Sequence, residues 1–297
     1  MFYLECDILG THKKIEIESI DYSNDDNVIK RDNTHYYYNV REKDQKSFQI
    51  LLKILKLWNK LAKEYGIEYW ACAGTLLGAV RHCGFIPWDN DIDISIMLSD
   101  FKKVKKILEN HPILTVCICE QGFQVRYRDY DFPFMDIFVC DYYDKNTIKY
   151  CGFLSTRDEP TWFMDHLFPN EQIYSNELYP LKKVAFENTT IMVPNIQKNT
   201  LFRTYSNKCL TACKIVKHVY IHEMASKKLM ELRYNIMKKI YNVESTLKIP
   251  RNIMFNTLQY KLMKKIEKKI NKNDNKNVLF NKIILKTVEK IDDLCNL

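Results

Sequence analysis

The chain has 297 residues, of which 45 are basic and 37 acidic, giving a formal net charge of +8. Hydrophobic residues make up 46% of it, which is ordinary for a folded domain and excludes a wholly disordered chain. No window approaches the roughly 18 apolar residues of a membrane-spanning helix, and the first residues lack the pattern of a secretory signal peptide. We therefore expect a folded cytoplasmic protein whose ten cysteines are mostly buried, reduced thiols.

The basic excess lies at the C-terminal end of the chain. Residues 211–297 hold 19 basic and 8 acidic residues, so the remainder of the chain is slightly acidic. A segment of this kind suits an anionic partner such as nucleic acid, a membrane surface or a phosphorylated acceptor. A solvated helical face explains the same charges, and the sequence leaves both interpretations open.

The first elements along the chain are predicted to be strands followed by a long helix. Residues 2–9 and 14–20 have the short alternating or apolar pattern of strands, and the Asp- and Asn-rich stretch 21–33 is predicted to be a loop. Apolar residues recur at helical spacing within 48–61. Gly66 is expected to end that helix.

The middle of the chain alternates between strand and helix patterns. A strand at 67–73 is predicted to lead through a turn at Gly74-Thr75 into a helix, and Pro87 places a loop after it. The remaining predictions are helices at 76–82 and 100–108 and strands at 91–97, 115–119, 123–128 and 134–139.

These patterns predict an α/β (or α+β) fold in which helices flank a mixed sheet. We divide the chain into a β-rich N-terminal extension at 1–45, the α/β domain at 46–210 and a basic helical region at 211–297. Long helical patterns in the last region cover residues 223–241 and 256–270.

The most informative short motif is the pair Asp91 and Asp93. Because successive strand residues point to opposite faces, these carboxylates share one side while Ile92 and Ile94 pack on the other. Two carboxylates held this close repel each other, and a hard divalent cation such as Mg²⁺ or Mn²⁺ relieves the repulsion. A solvated polar edge strand is the competing interpretation of the same spacing.

Two further features fit the same site. Gly74 and Thr75 follow a strand and open a helix, where backbone N–H groups and the helix dipole favour a phosphate. Asp136 lies in an apolar stretch, where an unpartnered carboxylate would be costly. A metal shared with Asp91 and Asp93 would remove that cost, and so would a hydrogen bond from Arg126 or Arg128.

Cys209, Cys213, His218 and His222 superficially resemble a set of zinc ligands. A zinc finger separates its cysteine pair from its histidine pair by about 12 residues, whereas the two pairs here are only a few residues apart. On one straight helix the pairs would face opposite sides. Core thiols and surface histidines are therefore the favoured interpretation.

A long contiguous string connects these features to a known family. The string YWACAGTLLGAVRHCGFIPWDNDIDI at residues 69–94 resembles the signature of the LicD/fukutin family. MDIF at 135–138 resembles the family's third-carboxylate motif, and LYPL at 178–181 resembles a later segment, so the similarity covers about residues 48–205. The sequence departs from the pattern at Asn90, where bacterial members usually have Asp.

The resemblance implies a nucleotidyltransferase fold and a transferase that moves phosphocholine, ribitol phosphate or a similar group. The donor would be CDP-linked, and the acceptor would be a hydroxyl of a glycan or a lipid-linked molecule. The family pattern carries over to Asp91, Asp93 and Asp136 as catalytic carboxylates and ligands of Mg²⁺ or Mn²⁺. The basic C-terminal region would then allow contact with a membrane surface.

Five more side chains near these motifs are candidates for substrate binding. Arg81 and Arg126 are suited to neutralise phosphate oxygens, and His82 is suited to hydrogen-bond them. Trp88 and Phe85 would either stack on a base or sugar or hold the loop against the core. Structural ion pairs and hydrogen bonds are the competing roles of Arg81, His82 and Arg126.

Two other functions remain compatible with the motifs. A nucleotidyltransferase acting on nucleic acid shares the Gly-Thr turn and the carboxylates, and basic helices would bind RNA. The contiguous family string favours a glycan or lipid-linked acceptor over nucleic acid. A binding module that has lost catalysis is the other alternative, and the presence of all three carboxylates argues against it.

Overall fold

The computed structural model describes residues 1–23, 25–119, 121–128, 130, 132–151 and 168–215. The predicted helices at 223–241 and 256–270 lie outside these residues, as do His218 and His222. The division of the chain at residues 45 and 210 stays a prediction. Among the described residues, no helix combines the length and apolar composition needed to cross a membrane.

The N-terminal residues form a small sheet in the order β2-β1-β5-β4. Strand β1 (Phe2–Ile8) pairs antiparallel with β2 (Thr11–Ile17) and parallel with β5 (His35–Tyr38). Strand β4 (Val28–Lys30) lies inside the stretch predicted to be a loop, so that part of the prediction was wrong. The local composition does not predict β4, because this short strand forms by pairing with β5 rather than from its own pattern.

A second pairing joins distant parts of the chain. Strand β3 (Ser19–Asp21) pairs in parallel with β15 (Ala212–Lys214). The region that contains β15 was predicted to be helical, and these three residues are a strand instead. A pairing across such a sequence separation leaves no local periodicity to detect.

Helix α1 (Glu42–Tyr65) confirms the predicted long helix and begins six residues earlier than its apolar pattern. It packs against the central sheet and buries one face, in which Trp58 is fully inaccessible. The helix ends because Gly66 adopts the left-handed conformation, with φ of 59°, and its N–H donates to the carbonyl of Ala62.

The central sheet is mixed, as predicted. Its strands are β6 (Tyr69–Ala71), β7 (Ile92–Met97), β8 (Leu114–Cys119), β9 (Gly122–Tyr127), β10 (Phe134–Tyr142), β11 (Thr147–Tyr150) and β12 (Ile173–Tyr174). Strand β10 lies at the centre, parallel to β7 on one side. On its other side β9 pairs with the first half of β10 and β11 with the last three residues, both antiparallel.

Helices and one hairpin complete the described part of the domain. They are α2 (Ala73–His82), α3 (Phe101–Glu109), α4 (Ser175–Leu178) and α5 (Gln197–Tyr205), with the hairpin of β13 (Lys182–Phe186) and β14 (Thr189–Val193). Gly74-Thr75 was predicted to be a turn, which is wrong because both residues belong to the first turn of α2. The helix pattern had been recognised only from residue 76.

A buried ion pair joins the N-terminal sheet to the loop after α2. Lys13 on β2 donates to the Glu187 carboxylate and to the Phe85 carbonyl, the latter at 3.1 Å. The Phe85 N–H donates to the same Glu187 oxygen at 2.8 Å. A Cβ at Gly84 would lie 2.1 Å from that oxygen, so the close approach requires glycine. This network fixes the loop that leads to the acidic motif.

The cysteine prediction holds for the thiols that the structure describes. Eight cysteines are free, and all of them are buried except Cys83. Cys209 and Cys213 are buried thiols, and burial raises the pKa of both. Both thiols belong to the hydrophobic core, whereas His218 and His222 of the zinc-like set lie outside the described residues.

Candidate functional site

The strand register brings two of the predicted carboxylates side by side. Asp93 on β7 lies directly opposite Asp136 on β10 in the parallel pair. On the other side of β10, Asp136 lies opposite Gln124 on β9. The two aspartates, 43 positions apart in the sequence, therefore lie in one row across adjacent strands, with Gln124 as the third member.

Asp93 is held by the start of α2. Its backbone N–H donates to the Thr75 hydroxyl at 2.8 Å, and its carbonyl accepts from the Cys72 N–H at 3.1 Å. The Gly74 N–H donates to the Asp93 carboxylate and lowers its pKa, opposing larger effects described below. The helix N-terminus thus faces the acidic residues, as an anion-binding end does.

The structure adds a fourth carboxylate that the sequence reasoning did not select. Asp89 lies in the loop before β7, yet its side chain hydrogen-bonds with Asp91 and repels both Asp91 and Asp93. One Asp89 oxygen lies 2.5 Å from the position that a Cβ on Gly74 would occupy. The every-second-residue spacing of Asp89, Asp91 and Asp93 was the available signal. Because side chains alternate between faces only within a strand, the spacing could not predict the orientation of a residue in the preceding loop.

We define the acidic cluster as Asp89, Asp91, Asp93 and Asp136, and burial and mutual repulsion raise the pKa values of two of its members, Asp91 and Asp93. Burial raises the pKa of Asp91 well above its usual range, and the other three carboxylates raise it further. Burial raises the pKa of Asp93 in the same way, and the negative charges of Asp136, Asp89 and Glu171 raise it further. A cluster of this kind is destabilised by its own charge unless a cation or protons neutralise it.

The cluster suits a hard divalent cation in its donor chemistry. Carboxylate oxygens are the ligands that Mg²⁺ and Mn²⁺ prefer. The described side chains form no complete cage by themselves. Mg²⁺ sites that handle phosphates characteristically use one or two carboxylates, with water and substrate phosphates as the other ligands. The acidic cluster fits such a shared site better than a closed structural site.

The predicted residues Arg81, His82 and Trp88 form a supporting network around α2. Arg81 donates to the carbonyl oxygens of Cys209 and Ala212, at 2.8 and 3.1 Å, and to the His82 ring. Burial, followed by Arg81 and Lys13, lowers the pKa of His82 well below its usual range, so the ring is neutral at pH 7. These contacts tie α2 to the chain around residue 210.

Trp88 lies between α2 and the N-terminal sheet. Its ring centroid is 5.3 Å from that of Tyr38 and 6.1 Å from that of His82, with the latter pair edge-on. The side chain is half-buried. These contacts match the interpretation in which Trp88 holds the loop in place, and stacking on a base or sugar stays a prediction.

Arg126 is placed on β9 with only 2% of its surface exposed. Its guanidinium donates to the side-chain oxygen of Gln124, and Gln124 in turn donates to Asp136 at 3.1 Å. The sequence had suggested a direct hydrogen bond from Arg126 to Asp136. In the structure the two side chains are linked indirectly, through Gln124. Direct binding of a phosphate by Arg126 stays a prediction.

We expect Gly74→Ala to reduce activity without unfolding the protein. Alanine normally stabilises a helix by about 0.5–1 kcal/mol relative to glycine. Here the added Cβ displaces the Asp89 carboxylate, and a displacement of about 1 Å in such a site costs roughly a hundredfold in rate. Turnover and thermal unfolding of the two proteins test this.

Gly78→Ala is the matched control, because its Cβ would lie 2.5 Å from the backbone carbonyl of Gly84. Backbone cannot yield as a side chain does, so this variant should lose stability in the thermal melt. Full activity of Gly74→Ala would show that the position of Asp89 does not matter to the reaction.

Glu171 borders the acidic cluster from the side of β12. It lines a small cavity with Trp70, Cys72 and Tyr150. Burial raises the pKa of Glu171 to about 7, against smaller opposing effects of the neighbouring Thr204, Tyr150 and Arg203 side chains. The carboxyl group is therefore half-protonated near neutral pH.

The raised pKa of Glu171 predicts a pH-dependent stability. Since the folded pKa lies above the unfolded value of 4.5, the free energy of unfolding falls as pH rises from about 4.5 to 7. Glu171→Gln should match wild type near pH 5 and be more stable at pH 8 by on the order of 1–3 kcal/mol. Urea unfolding at the two pH values measures the difference.

Glu177→Gln is the control, because it should change the free energy of unfolding at pH 8 in the opposite direction. Burial raises the Glu177 pKa, but hydrogen bonds from Arg203 and Asn199 outweigh it and lower the pKa overall. The charged form of Glu177 is thus stabilising above about pH 4.5, and Glu177→Gln should be less stable than wild type at pH 8. A Glu171→Gln variant that is no more stable than wild type at pH 8 would contradict the burial argument.

The family comparison agrees with this geometry. The model for the family described as "LicD/FKTN/FKRP, nucleotidyltransferase domain" matches residues 66–196. This range starts just before β6 and contains the acidic cluster. The chain carries a LicD-family domain. The resemblance drawn from the sequence motifs is thereby confirmed.

The LicD domain also has named relatives. An uncharacterized protein of Rickettsia typhi is 33% identical over 168 residues, covering 57% of this chain and 48% of that protein. The lipopolysaccharide cholinephosphotransferase LicD of Haemophilus influenzae is 43% identical over 54 residues, 18% of this chain and 20% of the relative. The ribitol 5-phosphate transferase FKRP of Homo sapiens is 27% identical over 139 residues, 44% and 26% of the respective chains. The chain spans about half the length of the rickettsial relatives it matches.

Proposed function

We propose that this protein is a metal-dependent transferase that moves a substituted phosphate from a nucleotide diphosphate donor to a hydroxyl group. The observation that carries the proposal is the gathering of four carboxylates, Asp89, Asp91, Asp93 and Asp136, at the N-terminus of α2 in a LicD domain. Relatives with this domain are named cholinephosphotransferase and ribitol 5-phosphate transferase. A CDP-linked alcohol is therefore the proposed donor and a glycan or lipid-linked hydroxyl the proposed acceptor.

The reaction balances without an external reagent. The acceptor oxygen forms a bond to the phosphorus that bears the payload, and the bond from that phosphorus to the bridging oxygen breaks. The nucleoside monophosphate leaves with the bridging oxygen, and the hydroxyl proton passes to a carboxylate. We assign this proton to Asp136, whose side chain is half-buried and adjacent to Asp93 in the sheet.

Asp91, Asp93 and Asp136 would hold a divalent cation with the donor phosphates, and Asp89 would support them. Bound Mg²⁺ or Mn²⁺ supplies positive charge against the phosphate oxygens and the leaving nucleotide. Gly74 and Thr75 present the N-terminus of α2 to the same phosphates. The repulsion that raises the pKa values of Asp91 and Asp93 would be relieved when the cation and donor bind together.

The test is turnover of a donor panel with Mg²⁺ or Mn²⁺. The panel holds CDP-choline, CDP-ribitol and CDP-glycerol beside UDP- and GDP-sugars, and the readout is the released nucleotide. We expect cytidine monophosphate from one of the CDP donors, no release with a chelator, and none from Asp91→Asn/Asp93→Asn. Release of a nucleoside diphosphate from a sugar donor, or incorporation of nucleotides into RNA, would replace the proposal with another transferase class.

A further inference from the structure

We infer that Gln124 and Arg126 are positioning residues that aim and hold the Asp136 carboxylate. This inference rests on the proposed function, since it concerns how the acidic cluster of that same site is arranged. We call the three side chains Arg126, Gln124 and Asp136 the β9 relay. Their order follows from the antiparallel register, in which Gln124 lies opposite Asp136 and Arg126 lies opposite Phe134.

The chemistry of the guanidinium fixes the direction of the relay. Arginine has only donors, so the group of Gln124 that faces Arg126 must be the amide oxygen. The amide nitrogen then faces Asp136 and donates to its Oδ1 at 3.1 Å. Without Arg126 the Gln124 amide would be free to turn over and present its oxygen to the carboxylate. Arg126 thus acts on Asp136 through Gln124.

The relay is buried in a place where apolar side chains would carry no desolvation cost. Gln124 is fully inaccessible and Arg126 is 2% exposed. The Arg126 Nε has no hydrogen-bond partner among the described residues. Replacing buried charged groups with packed apolar residues is often neutral or stabilising. The desolvation cost of Arg126 therefore points to its effect on Asp136 rather than to stability.

The consequence for Asp136 is a carboxylate whose orientation is restrained beside Asp93 on the neighbouring strand. Oδ1 accepts from Gln124, which favours the charged form and restricts rotation of the carboxylate. Partners of this kind orient metal-binding carboxylates, and their loss typically lowers metal affinity or activity by about 10–100-fold.

A double-mutant cycle tests whether Arg126 acts through Gln124. The variants are Gln124→Leu, Arg126→Met and the double variant, each assayed for Mn²⁺ affinity by calorimetry and for kcat and KM with the CDP donor that wild type turns over. We expect Gln124→Leu to weaken Mn²⁺ binding and kcat by about tenfold or more, with donor KM nearly unchanged. Arg126→Met should act in the same direction.

The double variant should be no worse than Gln124→Leu alone, because the two side chains belong to one chain of contacts. Gln124→Leu alone leaves the buried Arg126 guanidinium without its acceptor, which could unfold the protein. The double variant removes both polar groups together and so avoids that cost. Arg126→Lys should recover most of the affinity, since an ammonium also faces the amide oxygen. Thermal unfolding of every variant verifies the fold.

Multiplicative effects, or a higher donor KM for Arg126→Met with unchanged kcat, would show that Arg126 contacts the donor directly and would overturn the relay. Wild-type levels of Mn²⁺ affinity and kcat in Gln124→Leu would overturn it as well. If wild type binds Mn²⁺ but turns over no donor, the proposed reaction fails while the Mn²⁺ cycle still decides the relay. A wild-type chain with neither property would overturn both.

Discussion

Asp93→Asn is expected to abolish transfer while making the metal-free protein more stable. Asp93 lies at the centre of the acidic cluster, between the α2 N-terminus and Asp136. The loss of one carboxylate from a shared cation site should lower kcat/KM by about a thousandfold or more. Asparagine retains an oxygen that accepts from the Gly74 N–H, so the local fold has no reason to change.

The stability gain follows from the sign of the pKa shift. Burial, with Asp136, Asp89 and Glu171, raises the folded pKa of Asp93, so the folded protein loses stability relative to the unfolded chain as pH rises above about 4. Asparagine carries no such penalty, and the melting temperature of Asp93→Asn in chelator should exceed that of wild type at pH 8. Active sites commonly reduce stability in this way.

Asp100→Asn is the control for this prediction. Asp100 follows β7, and its carboxylate pairs with Lys103 at 2.8 Å near the surface. Exposed pairs of this kind contribute between about 0 and 1 kcal/mol, so activity and melting temperature should stay close to wild type. An active Asp93→Asn protein would remove the acidic cluster from the reaction.

Lys13→Met should produce a large loss of stability. The ammonium of Lys13 and the carboxylate of Glu187 are 3% and 1% exposed, so the substitution leaves a buried carboxylate without its cation. Breaking a buried pair from one side costs about 3–5 kcal/mol. Because the same network holds Phe85, the loop that carries Asp89 should also loosen and activity should fall.

Lys14→Met separates this effect from a general loss of surface charge. The Lys14 side chain is 53% exposed and lies 3.3 Å from Glu5, so its removal should cost less than about 1 kcal/mol. Lys13→Met/Glu187→Gln should recover part of the lost stability, since the amide oxygen still accepts from the Phe85 N–H. Equal melting temperatures for Lys13→Met and Lys14→Met would contradict the argument.

Strand alternation predicted one site for Asp91, Asp93 and Asp136, and the three carboxylates lie close enough for Asp136 to raise the pKa values of the other two. Their role in catalysis stays a prediction. The period of two put the first pair on one face, and the cost of a buried lone carboxylate pointed to the third. The register between β9 and β10 could not be predicted from the sequence. The sequence therefore did not show that Gln124 lies between Asp136 and Arg126. Nor did it show that Asp89 folds back onto Gly74, because loop residues have no periodicity.

Pairings between distant segments were the other gap. Lys13 and Glu187 are separated by 174 positions, and the local pattern around either residue does not point to the other. The parallel pairing of β3 with β15 joins residues near 20 and 213 in the same way. Such contacts arise from the folded arrangement of whole elements, whereas local patterns report only which elements form.

The most direct test of the central claim is a calorimetric titration of the chain with Mn²⁺, with and without cytidine diphosphate. We expect wild type to bind Mn²⁺, to bind it more tightly when the nucleotide supplies phosphate oxygens, and to lose this binding in Asp91→Asn/Asp93→Asn. Absence of Mn²⁺ binding by wild type, or equal binding by the double variant, would contradict the account of the acidic cluster as a shared metal and phosphate site.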